Sequence, residues 1–200
     1  MRGGALVLAA GYSRRFGSDK RWYELATGEP LLTSTLRLYL GCVDETAVIL
    51  RKDDTLIATH LQQTFKGSKS PNLLFSPNSH MGMGHSIADA MSQLKDWDYV
   101  ILALGDMPCV QPSTIRSIEQ ELQSARTADC PKIVRPVYRG PHQGQKAGHP
   151  VGFTREFFTE LEALGGDRGA KQVIERHASA LVLLKCDDDG ILWDLDKIPV

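Results

Sequence analysis

A chain of 200 residues can bury a sizeable core without disulfides, and 42% hydrophobic with 24% charged residues is the balance of a soluble globular protein, which excludes a disordered or fibrous chain. Its 23 basic and 24 acidic residues give a formal net charge of −1, so whole-molecule electrostatics attracts neither nucleic acid nor an anionic membrane, and any phosphate binding must be local. Cys42, Cys109, Cys130 and Cys186 are widely separated, with no C-x-x-C spacing, which argues against a zinc site and for free thiols.

In chain order, the first predicted strand is the apolar run from Ala5 to Ala10. It is too short for a signal-peptide core and arginines follow it directly, and nothing elsewhere approaches the ~20 apolar residues of a spanning helix, so a cytoplasmic location is expected. Apolar residues at three- and four-residue spacing then predict a helix over Leu31 to Leu40, followed by a strand from Thr46. A helix over Asp53 to Phe65, a strand from Asn72, a helix over His85 to Leu94 and a strand from Asp98 continue the alternation. A helix over Pro112 to Ala125 and strands from Lys132 and Ala180 complete it. Pro112 and the pair Asp53-Asp54 are read as helix-start residues. Continuous apolar strands alternating with amphipathic helices imply a three-layer α/β fold, a doubly wound, mostly parallel, Rossmann-like sheet forming one domain over residues 1–200. The stretch from Gly140 to Asp167 is expected to cap the strand ends.

Ligands of such sheets sit beyond the carboxyl ends of the strands, so the junctions after the apolar runs carry the functional reading. After the first strand comes "GYSRRFGSDK". Gly11 and Gly17 let backbone amides approach an anion, and Arg15 and Lys20 are cationic donors for phosphate oxygens. It is not a P-loop, because five residues separate the glycines and Ser18 follows the second. The competing reading is a Gly-rich turn with solvated arginines, and the position after the first strand favours phosphate.

After the third strand, Gly82 and Gly84 in "MGMGHSIADAM" precede a helix whose N–H groups could receive a ligand, with Ser86 or Ser79 alternatively a simple cap. Ile87 stands where a dinucleotide fingerprint has its last glycine. After the fourth strand, Asp106 in "LGDMP" is a lone carboxylate able to ligate a hard cation, or else an Asx-turn or cap residue. Beside a phosphate loop, Mg2+ is the cation of choice. Further along, His149 sits in a polar loop, Asp167, Arg168 and Lys171 lie near a helix start, and Asp196 in the acidic C-terminal stretch is a candidate second metal ligand. No G-x-S-x-G elbow supports a nucleophilic hydrolase.

Together these residues carry a resemblance. "LAAGYSRRFGSDK" resembles the L-A-(A/G)-G-x-S-x-R-x-G-x-x-K signature of the MobA-like NTP transferase family, with Gly11, Ser13, Arg15, Gly17 and Lys20 in register. "GMGHSI", "DMP", "GHPVGF" and "GDRGAK" are similar to later elements of the family, in the expected order, and the whole looks most like the molybdenum cofactor cytidylyltransferases. The chain departs from that pattern in ending "DLDKIPV" and in carrying Lys171 where an arginine is usual. The resemblance implies Mg2+-dependent transfer of CMP from CTP to the terminal phosphate of molybdopterin or its molybdenum-bound form, with release of pyrophosphate. It implies Arg15 and Lys20 on the triphosphate, Asp106 on the metal, and Ala9, Ala10, Gly11, Gly82 and Ser86 around the nucleotide. His149, Pro150, Asp167, Arg168 and Lys171 would face the acceptor. A molybdenum hydroxylase apo-enzyme is the implied protein partner. GTP as donor, another phosphorylated acceptor, and a cofactor-delivering chaperone are the alternatives.

Overall fold

A computed structural model describes residues 1–13, 16–128, 130–140 and 144–195. Arg15 and Asp196, both expected at the site, lie outside the described residues. The N-terminal half alternates β1 (Gly3–Leu8), α1 (Leu31–Leu40), β2 (Glu45–Arg51), α2 (Thr55–Thr64), β3 (Asn72–Ser76), α3 (Met83–Met91), β4 (Tyr99–Leu104) and α4 (Pro112–Ala128). After it come β5 (Ile133–Gly140), β6 (Gly144–Ala147), β7 (Val151–Thr154), α5 (Phe158–Glu162), α6 (Lys171–Arg176) and β8 (Leu181–Cys186). The strands form one sheet in the order β3-β2-β1-β4-β7-β5-β6, with β8 added to β5.

β1 to β4 pair in parallel, and their apolar runs are buried because both faces are covered. Successive side chains point to opposite faces. Ala5, Val7, Val48 and Ile101 therefore pack with Leu36 of α1, Leu61 of α2 and Ile118 of α4. Leu6, Ile49 and Leu102 pack on the other side with Ile87 and Met91 of α3, Leu161 of α5 and Val173 of α6. This is the three-layer arrangement that the alternation of strands and helices implies.

The stretch from Gly140 to Asp167 departs from expectation. Among the described residues only its end, at Asp167, reaches the cleft over the strand ends; earlier it supplies β6, which pairs antiparallel with β5, and β7, which runs antiparallel between β4 and β5. Only four residues long, β7 has no apolar run for a sequence reading to find. Its Gly152 has a structural cause: a Cβ there would lie 2.6 Å from Leu122 and 3.0 Å from Ile118, so α4 presses on the strand's backbone.

Leu8 and Leu104, the last residues of β1 and β4, are register partners, and the Gly105 N–H donates to the Leu8 carbonyl at 3.0 Å. The chain goes from β1 to β2 on one side and places β4 on the other, so this is the point where the strand order reverses, the usual place for a ligand crevice in an open α/β sheet. Among the described residues no helix is long and apolar enough to cross a membrane.

Candidate active site

A cleft of about 600 Å³ opens over the ends of β1 and β4. Its floor and one wall come from the loop after β1, which contributes Ala9, Ala10, Gly11, Tyr12, Ser13 and Lys20. Asp106 faces that loop. The Lys20 Nζ donates to Asp106 Oδ2 at 2.5 Å, and both side chains are largely shielded, at 18% and 15% exposure. The sequence reading placed a phosphate-binding cation and a metal-binding carboxylate on separate junctions; the adjacency of β1 and β4 brings them into contact.

The loop is held in shape from below. Ser13 adopts a left-handed conformation, φ 50°, and its hydroxyl accepts from the Lys20 N–H at 3.4 Å. Asp19 caps the short 3-10 turn Lys20–Trp22 by accepting from the Arg21 N–H. Arg21, which sequence reasoning passed over, is 6% exposed and reaches three elements at once. Its guanidinium donates to the Ala9 carbonyl at 2.8 Å, to both carboxylate oxygens of Asp19 and to both of Asp54. Burial works against its charge, but the hydrogen bonds it donates to Asp19 and Asp54 outweigh that and hold its pKa above the ordinary value. Asp19 is likewise penalised by burial and yet held below the usual carboxylate range by Arg21. Asp54, expected to cap α2, makes no capping bond and instead accepts from Arg21 and from the Arg51 N–H.

The second wall is the start of α3 with the loop that precedes α6. Gly82 has φ 120°, and a Cβ there would lie 2.5 Å from Asp167 Oδ1 and 2.6 Å from the Gly166 backbone. The N–H groups of the two glycines themselves are engaged within the protein. The Gly84 N–H donates to Gly166 O at 2.7 Å and the Gly82 N–H to Ser79 O at 3.3 Å. Neither Ser79 nor Ser86 caps the helix, which has no side-chain cap. Gly82, Ser86 and Asp167 all line the cleft, Ser86 from a buried position.

The other expected residues are placed away from the cleft wall. Gly17 shapes the loop with φ 80°. Arg168 and Lys171 are exposed and pair with Glu175 at 2.9 Å and 3.7 Å. His149 and Pro150 precede β7 behind the cleft, and the His149 N–H donates to Ile191 O at 3.0 Å. Burial, aided by the positive charge of Arg135 and opposed by Asp106, lowers the His149 pKa to about 4, and its Nδ1 is buried with no hydrogen-bond partner among the described residues. From the "DLD" stretch Asp194 lines the cleft wall, and the N–H of the next residue, Leu195, donates to Asp106 O at 3.1 Å. Tyr12, Met81 and Met83 are exposed residues of the cleft that sequence reasoning assigned no role.

The family model for MobA-like NTP transferase domains matches residues 5–181, from β1 into β8. The chain belongs to the MobA-like NTP transferase family. Within the nucleotidyltransferases it is 33% identical over 126 residues to the bifunctional protein GlmU of Zymomonas mobilis, a match covering 59% of this chain and 26% of that one. It is 26% identical over 125 residues to the 2-C-methyl-D-erythritol 4-phosphate cytidylyltransferase of Dehalococcoides mccartyi, covering 62% of this chain and 52% of the relative. These alignments span about a quarter and about half of the relatives' lengths. A crystal structure of the homologue of Mycobacterium tuberculosis Rv0371c from Mycobacterium sp. strain JC1 superposes with a TM-score of 0.76 at 26% identity, covering 98% of this chain and 92% of the other. Among the described residues the cleft of this MobA-like domain is lined by three carboxylates, Asp106, Asp167 and Asp194. Among the described residues no group of three or more His, Cys, Asp or Glu side chains could hold a metal ion unaided. That donor set fits Mg2+, which is commonly held by one or two carboxylates together with substrate phosphates.

Proposed function

We propose that the chain is a cytidylyltransferase that transfers CMP from CTP to the terminal phosphate of molybdopterin or its molybdenum-bound form. An oxygen of the acceptor phosphate forms a bond to the α-phosphorus of CTP, the bond from that phosphorus to the bridging oxygen breaks, and pyrophosphate leaves. The observation that carries the reading is the 2.5 Å contact of Lys20 with Asp106 in a cleft that the small-residue loop Ala9 to Gly11 also lines. Such transfer requires in-line positioning and neutralised charge rather than a covalent intermediate on the protein.

Lys20 would donate to phosphate oxygens and stabilise the charge that develops on them, assisted by Arg15. Asp106, with Asp194 beside it, would hold Mg2+, whose contribution is to neutralise the triphosphate and orient the leaving group. Support for cytosine comes from the loop's main chain. The carbonyls of Ala10 and Gly11 accept from Arg51, which fixes the peptide planes that carry the Gly11 and Tyr12 N–H groups, and these two donors would match the adjacent acceptors O2 and N3 of cytosine. Support for a flat, sulfur-containing heterocycle as acceptor comes from the "GHPVGF" and "GDRGAK" elements and from the exposed thioethers Met81 and Met83 at the cleft. The product would then pass to a molybdenum hydroxylase.

The test is pyrophosphate release from CTP or GTP in the presence of Mg2+ and molybdopterin, with methylerythritol phosphate as a competing acceptor. Release with CTP and molybdopterin, much faster than with either replacement, is the expected result. Preference for GTP would overturn the base assignment, and preference for the sugar phosphate would overturn the acceptor.

A further inference from the structure

Arg51, the last residue of β2, makes contacts that converge on one side of the cleft. Its Nη2 donates to the Gly11 carbonyl, its Nε lies 3.4 Å from the Ala10 carbonyl, and its Cζ stands 4.5 Å from the centre of the Tyr12 ring. The guanidinium is itself anchored, with Asp19 at 3.7 Å and Asp54 at 4.0 Å, and those carboxylates are gripped in turn by buried Arg21. Tyr12 is 46% exposed and lines the cleft. A planar cation over an aromatic face holds the ring by its quadrupole and leaves the remaining ring surface to a second planar group. Three planar groups are therefore set by one fork, the two peptides that carry the Ala10 and Gly11 carbonyls and the ring of Tyr12, and none of the three contacts involves the phosphate end of the cleft at Lys20 and Asp106.

We propose that Arg51 is the positioning residue of the nucleobase site, fixing the two peptide planes whose carbonyls it holds so that their N–H groups, those of Gly11 and Tyr12, meet the base edge, and presenting the Tyr12 ring for stacking on the base. This rests on the reading of the cleft as a CTP site. Lysine at this position would keep the charge but could not span two carbonyls and a ring, because an ammonium lacks the planar fork. The alternative is that Arg51 merely bolts β2 to the loop, in which case its loss would weaken every ligand of the cleft alike.

The two are separated by calorimetric titration of wild type, Arg51→Met, Arg51→Lys and Tyr12→Leu with CTP and, separately, with inorganic tripolyphosphate, each in the presence of Mg2+. Tripolyphosphate carries the charge of the nucleotide and no base. Arg51→Met and Tyr12→Leu should each weaken CTP binding by about tenfold, the size of a lost hydrogen bond or stacking contact, and leave tripolyphosphate binding unchanged, with Arg51→Lys in between. Tyr12 is a surface side chain, so Tyr12→Leu keeps the test standing if Arg51→Met does not fold. Unchanged CTP affinity in the variants, or parallel loss of both ligands, would overturn the assignment. A wild-type protein that binds CTP no more tightly than tripolyphosphate would bring down the nucleotide reading itself and this inference with it.

Discussion

Lys20 and Asp106 neutralise each other in a partly shielded place, so removing one charge changes the balance at the point where the triphosphate would sit. Asp106→Asn preserves shape and removes the charge. It should lower kcat for pyrophosphate release by about 100-fold or more, the size expected for lost charge neutralisation, while the melting temperature changes little. Single-turnover assays on Asp106→Asn, Lys20→Gln and the double variant check this, and the double should cost much less than the product of the singles because the two act as one unit. Turnover retained in Asp106→Asn would show the pair to be only a structural tie. Asp106 was legible because it stands alone at the end of a deeply apolar run. Asp194 was not, because "DLD" offers two aspartates two residues apart, and a bond such as that from the Leu195 N–H to the Asp106 carbonyl, which ties this stretch to the site, is formed only by the fold. Arg21 and Arg51 escaped for a related reason. A buried arginine is recognised by its carboxylate partners, and Asp19 and Asp54 lie on two different loops that only the fold joins.

At the scale of elements, α1 was read with its observed limits and α4 from its observed start, because ten or more residues of helical periodicity average out local exceptions. β6 and β7 were missed because four residues cannot show a period, and an antiparallel insertion between β4 and β5 leaves no signature in the alternation. The start of α3 joins element to site. In most helices Gly→Ala stabilises by about 1 kcal/mol through the backbone entropy it removes. At Gly84 the added Cβ would lie 2.6 Å from the Gly165 carbonyl oxygen, and the loop that carries Asp167 must move to admit it. Overpacking of this kind costs roughly 1–3 kcal/mol, which outweighs the propensity gain. Gly84→Ala should therefore lower the midpoint of urea unfolding, and the displaced Asp167 should raise KM for the acceptor more than KM for the nucleotide. A rise in the midpoint would mean that the loop does not pack against this helix.

For the whole molecule, six apolar strands alternating with helices were enough to place the cleft, since a doubly wound sheet leaves its crevice where the strand order reverses, here between β1 and β4. The alternation does not disclose how the C-terminal half closes around that crevice, and His149 stands at this closure. It begins the entry to β7 and its N–H is bonded to Ile191, just ahead of the stretch that carries Asp194. Burial foremost, then Arg135, with Asp106 opposing, lowers its pKa from 6.5 to about 4. A base whose folded pKa is depressed takes up a proton in the unfolded chain first, so between those two values the unfolded state binds more protons and stability falls as the pH falls. The loss should begin near the unfolded pKa and be complete near the folded one, reaching about 3 kcal/mol from a shift of this size. Leucine at 149 has no proton to gain and no polar Nδ1 to leave unpartnered. Urea unfolding of wild type and His149→Leu at closely spaced pH values from 7 to 4 should give curves that separate on acidification, with the variant losing less stability. Parallel curves would show that the imidazole titrates in the folded protein as it does in water, and that the closure behind the cleft is wet.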